Sequence, residues 1–253
     1  MISESYNVDC VKFMLSLPDK SFELGSADPP YGIGESSKNH KSRNTPVKQK
    51  NGKVMKCRQP EYGNDDWDNS IPDDLYFLEL KRTTINQVIW GANYFPQVVD
   101  TPFKAPRREM YQEFIKQHPV GWIIWDKVNG TSDFSDCELA WTSFNRPTTV
   151  FYYMWAGMMQ GVSMEQGLVA KGNKALNEIR IHPTQKPIEL YRWLFTTYPV
   201  KNILSTHAGS QSDRIVAYKM GIDFVCTELS ERHFNDGNKR FKKLTYEPLF
   251  FNK

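Results

Sequence analysis

Apolar residues along this chain fall into short blocks separated by long polar stretches, and the last third is the most regular. Between positions 187 and 198, Ile188, Tyr191, Leu194, Phe195 and Tyr198 recur at three- and four-residue steps, which puts them on one helical face. A strand is predicted to open at 202–204, followed by a helix over 212–220 that Gly221 ends, a strand over 222–227 and a helix over 230–241. Earlier, residues 11–17 read as a short amphipathic helix stopped by "LPDKS", and residues 22–27 as a buried strand. Residues 73–84 read as a helix with acids in its first turn and Lys81 and Arg82 in its last, the charge order a helix dipole favours. "QVIWG" at 87–91 and "VGWIIW" at 120–125 predict two more buried strands. The runs 137–144 and 148–154 are too short for periodicity to separate strand from helix. Alternating helices and strands with short connections predict an α/β fold: a mostly parallel, twisted sheet with helices on both faces. Sheets of that kind bind ligands beyond the carboxyl ends of their strands.

Three stretches escape the pattern. Residues 35–66 read as an inserted loop, residues 101–119 as a second insertion, helical in its middle, and residues 155–180 as a small separate region whose 157–174 stretch has weak periodicity. All three fit within one domain spanning 1–253, a length that suits a single α/β core. The net charge of +3 says little, but its distribution says more. From 31 to 60 there are eight Lys and Arg residues, Lys38, Lys41, Arg43, Lys48, Lys50, Lys53, Lys56 and Arg58, against one acid, Glu35. A solvated surface excursion explains such a loop; so does an arm that grips phosphates. The cysteines (Cys10, Cys57, Cys137, Cys226) and the five histidines are scattered without metal-ligand spacing. Reduced thiols in a cytoplasmic protein are therefore expected, with no metal. The first residues lack a secretion pattern, and no apolar run approaches membrane length.

The predicted strand over 22–27 runs into Asp28-Pro29-Pro30-Tyr31. Proline fixes its own φ and pushes its predecessor toward extended backbone, so Asp28 and Pro29 have little freedom. Neither proline carries an N–H. The corner thus presents only acceptors, the Asp28 carboxylate and backbone carbonyls, beside a flat ring. Acceptors and a ring suit a planar base with an amino group. Hydrogen bonds from both amino hydrogens, to Asp28 and to the Pro29 carbonyl, draw the nitrogen toward tetrahedral geometry and free its lone pair for attack on a methyl held in line. A stiff turn with a capping aspartate is the plainer explanation of the same residues.

"DPPY" after a strand resembles the catalytic motif of amino-methyltransferases that modify adenine or cytosine of DNA with S-adenosylmethionine. "HPTQKP" at 182–187 and "ILSTHAGSQSDRIVAYKMGIDFVCTEL" at 203–229 resemble two further blocks of that family. The catalytic block stands first and the cofactor block last, the circularly permuted, β-group order. "NVDC", "IWGANYF", "WIIWDK" and "FSDCELAWTSFNR" match as flanks. The resemblance implies a Rossmann-like class I methyltransferase fold, catalysis by Asp28, Pro29, Pro30 and Tyr31, and cofactor contacts from Asp9, Asp28, His182, Thr184, Lys186, His207, Gly209, Ser210 and Glu228. In that scheme Asp9 accepts from the cofactor's adenine amine, Glu228 takes the ribose hydroxyls, and Thr184 and Lys186 hold the methionine end. Gly209 and Ser210 lead into a helix N-terminus that suits a carboxylate.

The family usually has an acid at the position of Ser205 and a glycine at that of Gln211, so weakened cofactor binding is expected, and Gln211 is expected to avoid positive φ. The implied substrate is double-stranded DNA, the target base flipped out of the stack. Lys38, Lys41, Arg43, Lys48, Lys50 and Lys53 would contact phosphates, with recognition of sequence in 35–66 and 155–180. Asp as the first motif residue is commoner among adenine enzymes. Cytosine methylation, a catalytically silent DNA-binding homologue, and methylation of a protein glutamine are the alternatives. A bacterial or phage origin, a homodimer and a cognate restriction nuclease are also in keeping with the resemblance, and no membrane partner is.

Overall fold

A computed structural model describes residues 1–34, 47–48, 54–55, 68, 70–129, 135–156, 159–161 and 177–246. The chain forms two compact units, one made of Met1–Pro29 with Pro72–Lys253 and the other of Pro30–Ile71.

In the larger unit, strand β1 (Ser3–Tyr6) leads to helix α1 (Cys10–Leu15) and strand β2 (Phe22–Ala27). Asp9 caps α1, its side chain accepting from the Lys12 amide at 2.9 Å. Helix α2 (Asp74–Thr83) begins likewise at Asp73, which accepts from the Tyr76 amide at 3.0 Å. Strand β5 (Thr84–Trp90) follows with no intervening turn, three residues before the predicted start. The reason lies in Lys20: its amide donates to the Arg82 carbonyl at 2.9 Å and its ammonium to those of Lys81 and Thr84 at 2.6 and 2.9 Å, so the carbonyls left over at the helix end are satisfied without a turn residue. Gly25 permits the close approach of α2 to β2, because a β-carbon there would lie 2.8 Å from Leu80 Cδ1.

Residues 101–119 hold a helical turn at Arg108–Met110 and helix α3 (Tyr111–Gln117). Then come β6 (Trp122–Asp126), β7 (Cys137–Thr142) and β8 (Thr149–Tyr152), which settles both ambiguous runs as strands, and a small antiparallel ladder of β9 (Met154–Ala156) with β10 (Met159–Gly161). The last third alternates as predicted: α4 (Ile188–Thr197), β11 (Asn202–Ser205), α5 (Ser212–Met220), β12 (Asp223–Thr227) and α6 (Glu231–Thr245). Gly221 ends α5 at φ 73°, a left-handed cap that glycine adopts freely.

The main sheet has the order β1-β12-β11-β2-β5-β7-β6-β8. It is parallel from β1 through β5 and again between β6 and β8; β7 alone runs antiparallel to its two neighbours. Strand β1 has a polar, edge-strand pattern that periodicity does not flag. The step from β2 through α2 to β5 crosses the sheet in one direction, and the step from β11 through α5 to β12 in the other. Crossovers of the usual right hand therefore put α2 and α5 on opposite faces. Helix α1 packs with α2, while α4 and α6 pack with α5, giving helices on both faces. Between the layers, Leu24, Ala27, Val88, Ile89, Trp90, Ile123, Ile124, Leu204 and Phe224 are fully buried. Each such large side chain contributes roughly 1.5–3 kcal/mol of burial.

In the smaller unit, β3 (Val47–Lys48) pairs antiparallel with β4 (Val54–Met55). Asp68, which is buried, organises the start of this unit: its carboxylate accepts from the amides of Tyr31 and Gly32 at 2.8 and 3.0 Å, and its carbonyl from Gly34.

Candidate active site

Strands β2 and β11 are neighbours from which the chain departs in opposite directions, so the crevice beyond their carboxyl ends is the topological switch point of the sheet. Asp28 follows β2, the 206–211 loop follows β11, Glu228 follows β12 and Asp9 follows β1. The topology thus gathers at one edge most of the residues that the sequence motifs singled out. Pro30 and Tyr31 lie in the smaller unit.

Asp28 ends in an ion pair. Lys186 Nζ lies 2.5 Å from its Oδ1 and 3.3 Å from Oε2 of Glu138, whose Oε1 is 2.6 Å from Lys127 Nζ. The Lys186 side chain is only 3% exposed, and its ammonium stands 5.2 Å from the centre of the Trp90 ring. Burial pulls the Lys186 ammonium down, but Asp28 and Glu138 together more than offset it and leave it above the ordinary lysine value. Burial likewise raises Glu138, and the two lysines overcome it, holding its carboxyl at about 2. Four groups of alternating charge therefore sit at the carboxyl edge.

The loop after β11 carries the second cluster. Gly209 has φ 45°, and its amide donates to Glu228 Oε2 at 2.8 Å; Glu228 Oε1 accepts from the Ser230 amide at 2.9 Å. Gln211 occupies the left-handed region at φ 58°, against expectation. The contacts of its side chain explain this: fully buried, it accepts from Arg214 Nη1 at 2.9 Å through Oε1. Its Nε2 is buried without a hydrogen-bond partner among the described residues. Gly237 of α6 makes room, since a β-carbon there would lie 2.7 Å from the Gly209 carbonyl oxygen and 2.9 Å from Gln211 Cγ.

His182 packs against this loop, 3.7 Å from the position of a β-carbon on Gly209, with its ring edge-on to His233. The Thr184 hydroxyl meets His182 Nδ1 at 3.2 Å. Burial, with His233 and Lys186 nearby, holds His182 down at about 3, so its imidazole is neutral. His207, also lowered by burial, to about 4, meets the Thr206 hydroxyl at 3.0 Å and stands edge-on to the Tyr76 ring. Ser210 is buried, and its carbonyl accepts from Arg240, which also forms an ion pair with Glu178. The Ser212 hydroxyl donates to the Lys186 carbonyl at 2.7 Å, tying the loop to the segment that holds Asp28.

Several participants were not singled out from the sequence. Glu138 and Lys127 lay within "CELAW" and "WDK", where an isolated acid in an apolar strand and a lysine just past a strand end were the available signals. Asp213, Arg240, Glu178 and Gly237 gave none. Asp213 is 4% exposed, and burial pushes its carboxyl up to about 6 against hydrogen bonds from Ser205, the Arg214 amide and Ser26. Of the six candidate phosphate-binding residues, Lys48 lies in β3; Lys38, Lys41, Arg43, Lys50 and Lys53 fall outside the described residues, as does most of 155–180.

The donor set fits S-adenosylmethionine at the level of chemistry. A carboxylate with two oxygens, Glu228, suits vicinal hydroxyls, and the loop into α5 suits a carboxylate. Ser205 adds no negative charge on the strand itself, and Asp213 lies behind it.

No family model matches the chain. The chain is similar to the type II methyltransferase M.HinfI of Haemophilus influenzae, with 21% identity across 95% of this chain and 68% of the relative. Among solved structures it resembles TTHA0409 of Thermus thermophilus, described as a candidate DNA modification methylase, at 17% identity and a TM-score of 0.49 over 98% of this chain and 97% of that one. It also resembles the PvuII DNA methyltransferase, specific for cytosine N4, at 14% identity and a TM-score of 0.46 over 97% and 92% of the two chains.

Proposed function

We propose that the protein is an S-adenosylmethionine-dependent DNA methyltransferase acting on the exocyclic amine of a flipped base, with adenine as the target. The observation that carries this reading is the placement of Asp28 at the end of β2, beside the β11 loop, at the switch point of a largely parallel sheet. The similarity to M.HinfI along 95% of the chain supports it. Asp as the first residue of the tetrapeptide favours adenine over cytosine.

In this reading Asp28 and the Pro29 carbonyl accept the two amino hydrogens and expose the nitrogen lone pair. The residues orient and polarise; the bound cofactor supplies the electrophilic methyl. Glu228 takes the ribose hydroxyls, Asp9 the adenine amine, and the Gly209–Ser210 turn with Thr184 the methionine end. The neutral imidazoles of His182 and His207 add no further cation beside the sulfonium. Tyr31, three positions along the chain from Asp28, supplies the ring on which the base stacks, and the basic loop grips phosphates. Extruding the base costs about a few kcal/mol, and stacking and phosphate contacts offset it. The protein acts in the cytoplasm on double-stranded DNA.

Incubation with methyl-labelled cofactor and duplex DNA, followed by nucleoside analysis, tests the reading. Label in N6-methyladenine is expected, and Asp28→Ala should abolish it while far-ultraviolet circular dichroism stays unchanged. Label in cytosine would correct the target, and label in protein would overturn the reading. A catalytically silent homologue is the second reading, favoured by Gln211 and Ser205 in the cofactor turn; micromolar cofactor affinity by calorimetry would dismiss it.

A further inference from the structure

We propose that Lys186 is a positioning residue for Asp28 and not a ligand of the cofactor; this rests on the reading above. The ammonium lies 2.5 Å from Asp28 Oδ1 and 3.3 Å from Glu138 Oε2, so it is already shared between two carboxylates. A third carboxylate, from a bound amino acid moiety, would put three anions around one cation. That is an unfavourable way to bind an acid when the start of α5 offers backbone N–H groups.

The setting of Lys186 is rigid. Its side chain is 3% exposed and stands over the Trp90 ring at 5.2 Å. Glu138 is fixed in turn by Lys127 at 2.6 Å. Pro187 follows Lys186 and limits it to extended backbone, and the Lys186 carbonyl accepts from the Ser212 hydroxyl at 2.7 Å. One end of the residue is thus tied to the cofactor loop and the other to the catalytic acid. A charge-assisted bond to Oδ1 sets the plane of the Asp28 carboxylate and keeps it an acceptor. Small errors in that plane matter, because misplacement of a reacting pair by about 1 Å can cost about a hundredfold in rate.

Three measurements on the full-length protein test this. Lys186→Met should leave the calorimetric Kd for S-adenosylmethionine within about threefold of the wild type and lower kcat at saturating cofactor by about a hundredfold. Lys186→Arg keeps the charge but alters the geometry; it should fold normally and lose about tenfold in kcat with Kd unchanged. A tenfold or greater rise in Kd with kcat preserved in either variant would make Lys186 a cofactor ligand and overturn the proposal. In the protein without cofactor, the Asp28 carboxyl-carbon resonance, assigned by its loss in Asp28→Asn, should move in Lys186→Met; a resonance that stays put would also overturn it. That signal needs no turnover, so it judges the pairing even if the wild type methylates nothing, an outcome that would defeat the methyltransferase reading by itself.

Discussion

Ser26 and Ser205 are direct partners across the parallel β2–β11 ladder, and both hydroxyls donate to the carboxylate of Asp213 on the first turn of α5. The acid that β11 lacks at 205 is thus present one layer behind it, held by Ser26, two residues before Asp28, and by Ser205, two residues before His207.

This arrangement sets a pH dependence of stability. Burial raises the Asp213 carboxyl from 3.8 to about 6 in the folded protein. Above pH 6 the folded protein holds an ionised carboxylate that the unfolded chain solvates better. The rise corresponds to about 3 kcal/mol against folding at most, shrinking as pH falls through 6 and gone below about 3.8. Asp213→Asn, which keeps the acceptor oxygen and removes the charge, should stabilise the protein by about 1–3 kcal/mol at pH 7.5 and by no more than about 0.5 kcal/mol at pH 4. Urea unfolding at the two pH values measures this; equal effects at both would remove Asp213 as the source.

Arg240 and Glu178 should be as sensitive. The pair is buried, with side-chain exposures of 6% and 13%, and Arg240 also holds the Ser210 carbonyl while Glu178 holds the Ile188 amide at the start of α4. Removing one partner leaves an uncompensated charge, so Arg240→Met should cost about 3–5 kcal/mol. A double change, Arg240→Met with Glu178→Gln, should recover part of that loss. Thermal unfolding of the three variants gives the comparison, and strict additivity would dissolve the coupling.

The last third was the most readable part of the sequence because each of its elements carries its own signal: one-sided helical spacing in 188–198, glycine at 221, a short apolar strand at 222–227. The Asp28 corner was readable because two prolines leave few conformations open. What stayed hidden depended on distant partners. Nothing near Glu138 in sequence says that Lys186 and Lys127 will flank it. Gln211 reads as a residue that must avoid positive φ, yet it takes φ 58° because Arg214 and the room left by Gly237 hold its side chain there. Strand β1 is half-exposed and polar, and only its pairing with β12 defines it.

Neutralising Lys48, Lys50 and Lys53 should weaken binding to duplex DNA across all sequences. Each lost phosphate contact should reduce the slope of log affinity against log salt by about 0.9. Titrations at several salt concentrations with the triple Lys→Gln variant test this. An unchanged slope would make the loop a solvated excursion.

Gly237 offers the most direct test of whether the turn after β11 holds the cofactor. A β-carbon at 237 meets the Gly209 carbonyl oxygen at 2.7 Å and Gln211 Cγ at 2.9 Å, so the turn must move. Alanine is favoured over glycine inside a helix by about 1 kcal/mol, whereas overpacking typically costs about 1–3 kcal/mol. Gly237→Ala should therefore destabilise by only about 0–2 kcal/mol. Its effect on cofactor affinity should be larger, about tenfold or more, because the displaced backbone belongs to the turn that would carry the methionine end. Adding Gln211→Gly should restore part of the affinity: it removes the Cγ contact and relieves a left-handed conformation that costs a non-glycine residue about 1–2 kcal/mol, but leaves the contact with the Gly209 oxygen. Calorimetry on the single and double variants reads this order directly. Affinity unchanged in Gly237→Ala would mean that the turn after β11 does not hold the cofactor.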